Sequence, residues 1–555
     1  MTTKEYENEF HYDGHRGNLL PAQREIRQIG DEPDGKAARM YLHGRCDSLI
    51  LVIVLVLSVT TPVPAQERPI PASYDLKVTI EPTLGTISVR GRIEVPRRNP
   101  GSSTVKFGLH ETFAIKQLSV EGHPATFSFQ PGEPTAVNPA TKNVAVKLPS
   151  GTPADKIHLE IQYGGRLKGI PEFGTFPDQK QSLDDQINSR LVELANYSSW
   201  YPQFFVFGYP LRVALEVSFP EGWIAVCSGK KLDDRVKDGR SSTRWSSPTD
   251  TDILIAASPH YKQKSLYESG GQIEIYYTQL PEEFVERDGR QIADVIKLFT
   301  DRLGETTIPS GTIKHVFSPK RKGQGRAGIA RPGMIITSEG LVLEGLAKDP
   351  ESSLFQDIAH EIAHFWWNFG AGQGDWINEA FAEYFSALAV EKSLSEDQFQ
   401  RVLEEYRAAV RRLPADAPSL AKAPFDGSSF VIRYYKGSLM LHHLRGVLGD
   451  DRFFEDVRDF FQTYKGESIG TVEFRSFWKE RLGDRKDSLD VWLDSAGGLR
   501  ELEQRQVVNR DSQSVNTIPV SVRARISGEM VDAEPVLTWR CGCDECSFDR
   551  ALTDS

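Results

Sequence analysis

Apolar and polar residues alternate through the first half of the chain, from about residue 70 to residue 265. Tyr74–Ile80 reads YDLKVTI and Thr86–Val95 reads TISVRGRIEV, so every second side chain faces one side of a strand. Turn-forming stretches such as PGEP and PSGTPAD separate the segments. Further strands are predicted at Val105–Leu109, Val144–Leu148, Ile157–Tyr163, Leu211–Phe219 and Ile253–Ala257. The pattern predicts an all-β sandwich or saddle domain over residues 66–268.

The pattern changes after residue 268. Helical periodicity begins near Pro281 and dominates from Asp349 onward. Short strands are predicted at Ile273–Tyr277, Lys314–Phe317 and Met334–Ile336. Helices are predicted at Ser353–Asn368, Glu379–Lys392, Ser395–Leu413, Tyr434–Leu448, Asp451–Tyr464 and Val472–Leu482. We therefore expect an α+β multidomain protein with a mainly helical second domain over residues 269–498.

A continuous apolar run lies near the N-terminus. Ser48–Val59 reads SLILVIVLVLSV and is followed by the small-residue stretch TTPVPAQ, as in a secretory signal peptide. The run is shorter than the twenty or so residues that a membrane-spanning helix needs. Its polar leader is too long for a signal, so either translation begins at Met40 or residues 1–39 are a disordered leader. We expect residues 1–65 to be leader and signal peptide, and the rest to be exported to the periplasm or outside the cell. An uncleaved single-pass membrane anchor is the alternative.

Length and charge limit the classes of protein that fit. A chain of 555 residues exceeds what one hydrophobic core can support, so several domains are expected. The net charge of -11 argues against nucleic acid as a partner, because phosphate binding needs clustered cations. The five cysteines do not form a disulfide framework.

The C-terminal segment, residues 499–555, is short. Strands at Thr517–Arg525 and Val536–Arg540 would give a partial β-domain. Cys541, Cys543 and Cys546 lie within six residues of one another, but no second cluster accompanies them. A structural metal site, a disulfide and an irregular tail all remain open for these cysteines.

The strongest chemical signal is the segment HEIAH. His360 and His364 are four residues apart, so both imidazoles lie on one face of a helix at a spacing that zinc accepts. Glu361 follows the first histidine, where its carboxylate can reach water at the metal. A catalytic zinc usually has a third protein ligand, and two carboxylates, Glu379 and Glu383, lie near the start of the next predicted helix.

HEIAH followed by WINEAFAEYF resembles the gluzincin aminopeptidases, the group that contains aminopeptidase N and leukotriene hydrolase. Tyr434–Gly437 reads YYKG and is similar to the family's Y-x-K-G signature, while NYSSWYP at Asn196–Pro202 resembles its aromatic-proline stretch in the β-domain. The resemblance covers about residues 70–495. It implies a β-domain followed by a thermolysin-like catalytic domain, one catalytic zinc ion and peptide or protein substrates.

The spacing of the third ligand departs from the family pattern. The family usually has eighteen residues between the second histidine and the glutamate, which by literal counting leads to Glu383. The local signature N-E-x-F-A leads instead to Glu379, with residues 365–378 between. We assign Glu379, because the signature sets the helical phase and the Gly-rich loop FGAGQGD can absorb a deletion. Glu383 remains the alternative.

A second departure concerns substrate recognition. Aminopeptidases of the family carry G-x-M-E-N, whose glutamate binds the free amino group of the substrate. Aligned from Gly328, this position is Arg331, and aligned backwards from Gly333 it is Ala330. Neither supplies a carboxylate, and a cation should repel an ammonium group. Glu193 or Glu339 could substitute.

The resemblance also implies a mechanism. Zinc on His360, His364 and Glu379 activates water, Glu361 is the general base, and Tyr434 donates a hydrogen bond to the developing oxyanion. We expect a zinc metallopeptidase that is aminopeptidase-like, with an altered amine anchor. A zinc endopeptidase that cuts blocked peptides and a non-catalytic binding relative are the alternatives.

Overall fold

The chain is described here from a computed structural model. The described residues are 70–497, except 98, 132–140, 170–184, 206–208, 269–270, 307, 309–310, 321–327, 350–353, 368–374, 426 and 466, together with 522–526 and 529–533. The predicted signal segment and Cys541, Cys543 and Cys546 lie outside these residues, so the expectations about them remain predictions. Among the described residues, no helix is long and apolar enough to cross a membrane.

In the residues that the structure describes, the β-domain has fifteen strands in three sheets. The largest sheet has eight strands in the order β13-β14-β11-β1-β2-β8-β4-β5, and the smaller ones are β12-β15-β10-β9 and β3-β7-β6. The strands are β1 Ala72–Glu81, β2 Thr86–Pro96, β3 Thr104–His110, β4 Ala114–Val120, β5 His123–Pro124, β6 Phe127–Pro131, β7 Thr141–Lys147, β8 Lys156–Arg166, β9 Gln186–Ile187, β10 Val192–Leu194, β11 Leu211–Pro220, β12 Ile224–Cys227, β13 Lys230–Lys237, β14 Arg240–Asp250 and β15 Ile255–Ser258. Burial alternates residue by residue along β1, as the sequence pattern predicts.

The second domain begins with a five-stranded mixed sheet in the order β16-β17-β18-β20-β19. Its strands are β16 Lys262–Glu268, β17 Gly271–Tyr277, β18 Thr312–Ser318, β19 Ile329–Arg331 and β20 Met334–Ser338. Strand β16 falls inside the predicted β-domain but pairs along its whole length with β17. Strand pairing therefore places the boundary before residue 262 rather than at residue 268. The described residues of the C-terminal segment are two paired strands, β21 Val522–Ile526 and β22 Glu529–Ala533.

Nine α-helices follow or interleave with this sheet in the described part of the chain. They are α1 Glu282–Leu303, α2 Glu339–Lys348, α3 Phe355–Ala363, α4 Asp375–Ser393, α5 Glu396–Arg411, α6 Gly437–Leu448, α7 Asp450–Tyr464, α8 Thr471–Leu482 and α9 Asp487–Asp494. Helix α3 is shorter than predicted and ends just before His364. The prediction that an α-helix begins at Tyr434 is wrong. Val431–Lys436 forms a π-helix, and α6 follows it directly from Gly437. Indole–phenyl stacking of Trp367 on Phe381, with ring centroids 4.1 Å apart, packs the end of the α3 segment against α4.

The five-stranded sheet lies between two hydrophobic cores. Ile335 packs in the core of the helical domain, while its neighbours Met334 and Ile336 pack in the core that contains the β-domain strands. The same alternation holds in β19, where Ala330 faces the helices and Ile329 faces the β-domain. The side chain of the next residue, Arg331, therefore points toward the β-domain.

Three buried cations of the second domain bind partners in the β-domain, and we call them the joint cations: Lys314, Lys320 and Arg331. Lys314 donates to the backbone carbonyls of Cys227 and Gly229, and burial lowers its pKa to about 8. The other two pair with carboxylates, with Lys320 lying 2.9 Å from Glu193 and Arg331 lying 3.1 Å from Asp252. Because buried charges are costly unless they are paired, these contacts hold the two domains together.

Candidate metal centre and active site

Helices α3 and α4 bring three ligand atoms to one point. Helix α3 presents His360, and His364 follows at its C-terminal end. Glu379 lies in the second turn of α4, which packs directly beside α3. The Nε2 atoms of the two histidines are 3.3 Å apart, and Oε2 of Glu379 lies 3.4 Å from one and 3.5 Å from the other.

These distances fit a zinc ion. Ligands about 2.0–2.1 Å from a tetrahedral zinc lie about 3.3–3.4 Å from one another, which is the size of the observed triangle. Oε2 of Glu379 is also buried without a hydrogen-bond partner. A buried carboxylate oxygen without a partner is costly, and a metal ion at the centre of the triangle would satisfy it. Two imidazoles and one carboxylate leave a fourth position for water, as catalytic zinc sites require.

Glu383 lies one turn further along α4 and contacts His360 at Nδ1, the ring nitrogen outside the triangle. Its Oε2 is 2.8 Å from Nδ1 of His360, while Oε1 accepts a hydrogen bond of 2.6 Å from the Tyr406 hydroxyl. Gln356 donates to the same hydroxyl. A carboxylate on Nδ1 fixes the tautomer that leaves Nε2 free for a metal. The structure thus places Glu379 in the triangle with both histidines, whereas Glu383, the alternative from the sequence, contacts the other ring nitrogen of His360.

The electrostatics of the triangle favour a bound cation. Burial opposes charge on His360, but the nearby carboxylates of Glu379 and Glu383 outweigh it and raise the pKa of this imidazole well above its ordinary value. Burial likewise opposes charge on Glu379, yet His364 and His360 hold the pKa of its carboxyl well below the usual range. The site therefore keeps a carboxylate ionised in a buried position, where it attracts positive charge.

The predicted general base, Glu361, faces the same cavity as the ligands. Strand β19 begins against it, and a Cβ atom placed on Gly328 would lie 2.4 Å from Oε1 of Glu361. Only a glycine lets the strand approach this closely without displacing the carboxylate. Strand β19 therefore forms the wall of the cavity opposite the metal ligands.

Tyr434 lies over the metal ligands. Its ring is parallel to that of His360, with centroids 5.6 Å apart and an interplanar angle of 4°. Burial and the nearby Glu379 carboxylate raise the pKa of the phenol well above its ordinary value, so its hydroxyl remains a hydrogen-bond donor.

The Y-x-K-G signature has a packing explanation. A Cβ atom on Gly437 would lie 2.5 Å from that of Ala380, so glycine allows α6 to cross α4 closely beside Glu379. Lys436 is buried and donates to the backbone carbonyls of Ser495 and Gly497, at 2.7 and 2.9 Å. Lys436 is therefore structural, and Tyr434 is the member of the signature that reaches the site.

The rest of the cavity wall includes two guanidinium groups. Arg433 forms a buried ion pair with Asp375, the first residue of α4. Arg331 and Tyr197 line the side that faces the β-domain. The two glutamates considered as substitutes for an amine anchor do not line this cavity: Glu193 pairs with Lys320, and the Glu339 carboxylate accepts backbone hydrogen bonds from residues 278–280.

Sequence reasoning identified the three residues that form the triangle but missed several of their neighbours. Asp375 and Arg433 belong to no motif that is recognisable in the sequence. The pairing of Arg331 with Asp252 joins residues 79 positions apart, which no local pattern signals. Glu383 could have been assigned from its position, because residues i and i+4 of a helix both reach the same facing helix.

Replacing Glu379 and Glu383 one at a time distinguishes their roles. Glu379→Ala should abolish stoichiometric zinc binding, because it removes one of three ligands. Glu383→Gln should retain the ion but weaken its affinity by roughly 10–100-fold, because it acts through His360. Chelator competition with metal analysis measures both. Loss of zinc in the Glu383 variant with full retention in Glu379→Ala would reverse the assignment.

The chain is similar in sequence to known aminopeptidases. Residues 311–493 match the peptidase family M1 domain. The chain is 24% identical to aminopeptidase N of Streptomyces lividans over 314 residues, which is 51% of this chain and 35% of that protein. It is 28% identical to aminopeptidase N of Lactococcus lactis over 160 residues, 25% of this chain and 18% of the relative. The chain thus spans about a third or less of the length of these curated relatives.

Solved structures share the fold. An M1 zinc metallopeptidase from Deinococcus radiodurans aligns with a TM-score of 0.59 and 18% identity, covering 78% of this chain and 95% of that one. Yeast LTA4 hydrolase in complex with bestatin aligns with a TM-score of 0.58 and 15% identity, covering 81% and 72%. The predicted resemblance to the gluzincin aminopeptidases and the predicted α+β multidomain fold are confirmed.

Proposed function

We propose that this chain, whose residues 311–493 match the peptidase family M1 domain, is a zinc-dependent metallopeptidase that resembles aminopeptidases in its fold and hydrolyses peptide bonds. The observation that carries the proposal is the triangle of His360, His364 and Glu379, whose edges match a tetrahedral zinc site. Glu361 and Tyr434 face the same cavity, so a base and a hydrogen-bond donor accompany the ligands.

Each residue of the site has a separate role in the proposed reaction. A zinc ion held by the three ligands would act as a Lewis acid on the scissile carbonyl and on water. Glu361 accepts the proton of the attacking water and delivers it to the leaving amine. Tyr434 donates a hydrogen bond to the carbonyl oxygen as negative charge develops there. Glu383 holds His360 in the required orientation throughout.

The test combines metal analysis with a mixed substrate panel. We expect about one zinc ion per chain, and hydrolysis of peptides that stops after chelation and returns when zinc is restored. The panel contains free-amine amides, N-blocked peptides and intact proteins, so that it does not presuppose the mode of cleavage. A zinc-loaded protein that cleaves no member of the panel would contradict the proposal and favour a binding role.

A further inference from the structure

The α-amino group of a free-amine substrate lies two bonds from the scissile carbonyl carbon. Wherever the rest of the peptide runs, this ammonium must therefore lie inside the cavity that holds Glu361 and the metal ligands. A buried ammonium requires a carboxylate close by, because burying an unpaired charge is costly. The charges lining this cavity thus decide whether an ammonium can bind.

The described part of the wall contains three carboxylates, and each has another role. Glu379 belongs to the metal triangle, Glu361 is the base, and Asp375 is in a buried ion pair with Arg433. Two guanidinium groups, those of Arg331 and Arg433, line the same cavity. An ammonium group entering here would meet cations without a carboxylate dedicated to it.

Several contacts fix the side chain of Arg331 in the cavity wall. It is 5% exposed, and its Nε lies 3.1 Å from Asp252. Nη1 donates to the carbonyl of Ala330 at 2.7 Å, and Nη2 lies 3.4 Å from the Asn196 side-chain oxygen. Nearby charges and hydrogen bonds therefore keep this guanidinium in one place.

Tyr197 shares this wall from the β-domain side. It sits in a short 3₁₀-helix, Asn196–Ser198, whose backbone is held by the Asp185 and Asp252 carboxylates. Its ring centroid lies 5.9 Å from the guanidinium carbon of Arg331. A phenol and a guanidinium are both hydrogen-bond donors, which suits the carbonyl oxygen of an acyl group rather than an ammonium.

We propose that this cavity selects peptides in which the amino side of the cleaved residue is acylated, meaning internal peptide bonds or N-blocked ends. Arg331 and Tyr197 are the specificity-determining residues, with Asp252 positioning Arg331. The inference rests on the proposed zinc peptidase activity and specifies its substrate class.

Matched substrates test the proposal on the zinc-loaded full chain. Fluorogenic amides of alanine, leucine, phenylalanine and arginine are compared with their N-acetylated counterparts. We expect kcat/KM to be at least tenfold higher for the acetylated series. Arg331→Gln, which removes the cation but leaves Asp252, should shift this ratio at least tenfold toward free amines. The exposed Arg412→Gln serves as a control and should leave the ratio unchanged.

Tyr197→Phe provides a second variant that keeps Arg331 paired, in case Arg331→Gln does not fold. It should lower kcat/KM about tenfold for acetylated substrates only, with zinc content and melting temperature unchanged. A preference of the wild-type protein for free amines would overturn this inference while leaving the proposed peptidase activity intact. If neither series were hydrolysed and no peptide or protein of the mixed panel were cleaved, both proposals would be overturned. An unchanged substrate ratio in Arg331→Gln and in Tyr197→Phe would remove these residues from substrate selection.

Discussion

Glu361→Gln is expected to lower kcat/KM by roughly 10²–10⁴-fold, because the amide cannot accept the proton of the attacking water. The carboxylate and the amide have nearly the same shape, so contact with Gly328 at the start of β19 should be preserved. Zinc content should also be unchanged, since Glu361 is not one of the three ligands. Steady-state kinetics and metal analysis on the same preparation measure both quantities.

Glu405→Gln is a suitable control for this variant. Glu405 is exposed on α5, and its replacement makes the same chemical change away from the cavity. Its kcat/KM should equal that of the wild-type protein. If Glu361→Gln retained activity within tenfold of wild type while fully loaded with zinc, Glu361 would not be the base.

The second large effect is expected for Tyr434→Phe, which removes one hydroxyl group. Loss of a single oxyanion donor in other hydrolases lowers kcat by about 10²–10³-fold. The stacked ring remains, so KM and zinc affinity should change little. Burial and Glu379 raise the pKa of Tyr434, so the phenol should keep its proton at pH values above the ordinary tyrosine pKa near 10. The alkaline limb of the wild-type pH–rate profile should therefore not report this group.

The neighbouring Tyr435 provides a matched control. Its ring stacks on Tyr406, with centroids 4.5 Å apart, and it does not line the cavity. Tyr435→Phe should leave kcat within a few-fold of wild type. Equal losses in the two variants would mean that the phenols act through packing, and the role of Tyr434 as oxyanion donor would be wrong.

Local patterns explain which parts of this protein can be predicted from its sequence. The i and i+4 spacing of His360 and His364 has one geometric outcome on a helix, and the structure shows it. A local signature also selected Glu379 over Glu383, although literal counting favoured the other residue; the structure places Glu379 beside both histidines, and its role as a ligand stays a prediction. Strand alternation predicted seven strands of the β-domain for the same reason, namely β1, β2, β3, β7, β8, β11 and β15, but it missed the other eight strands that the structure describes there.

Features that depend on contacts between distant segments were not predictable. The π-helix that carries Tyr434 adjoins the close crossing at Gly437 and Ala380, which lie on different helices. Strand β16 resembles its predecessors in sequence, and only its pairing with β17 assigns it to the second domain. The pairing of Arg331 with Asp252 could not be predicted either, because neither residue taken alone indicates its partner.

The joint cations make the second domain depend on the β-domain for its stability. A catalytic half without its β-domain would expose the faces of Lys314, Lys320 and Arg331 that are now covered, and would lose every partner they have across the joint. Removing one partner of a buried pair typically costs about 3–5 kcal/mol, a large part of the stability of an ordinary domain. The β-domain is therefore not an accessory that could be exchanged or lost without harm to the zinc site. The wall opposite the metal depends on a domain that supplies none of the ligands.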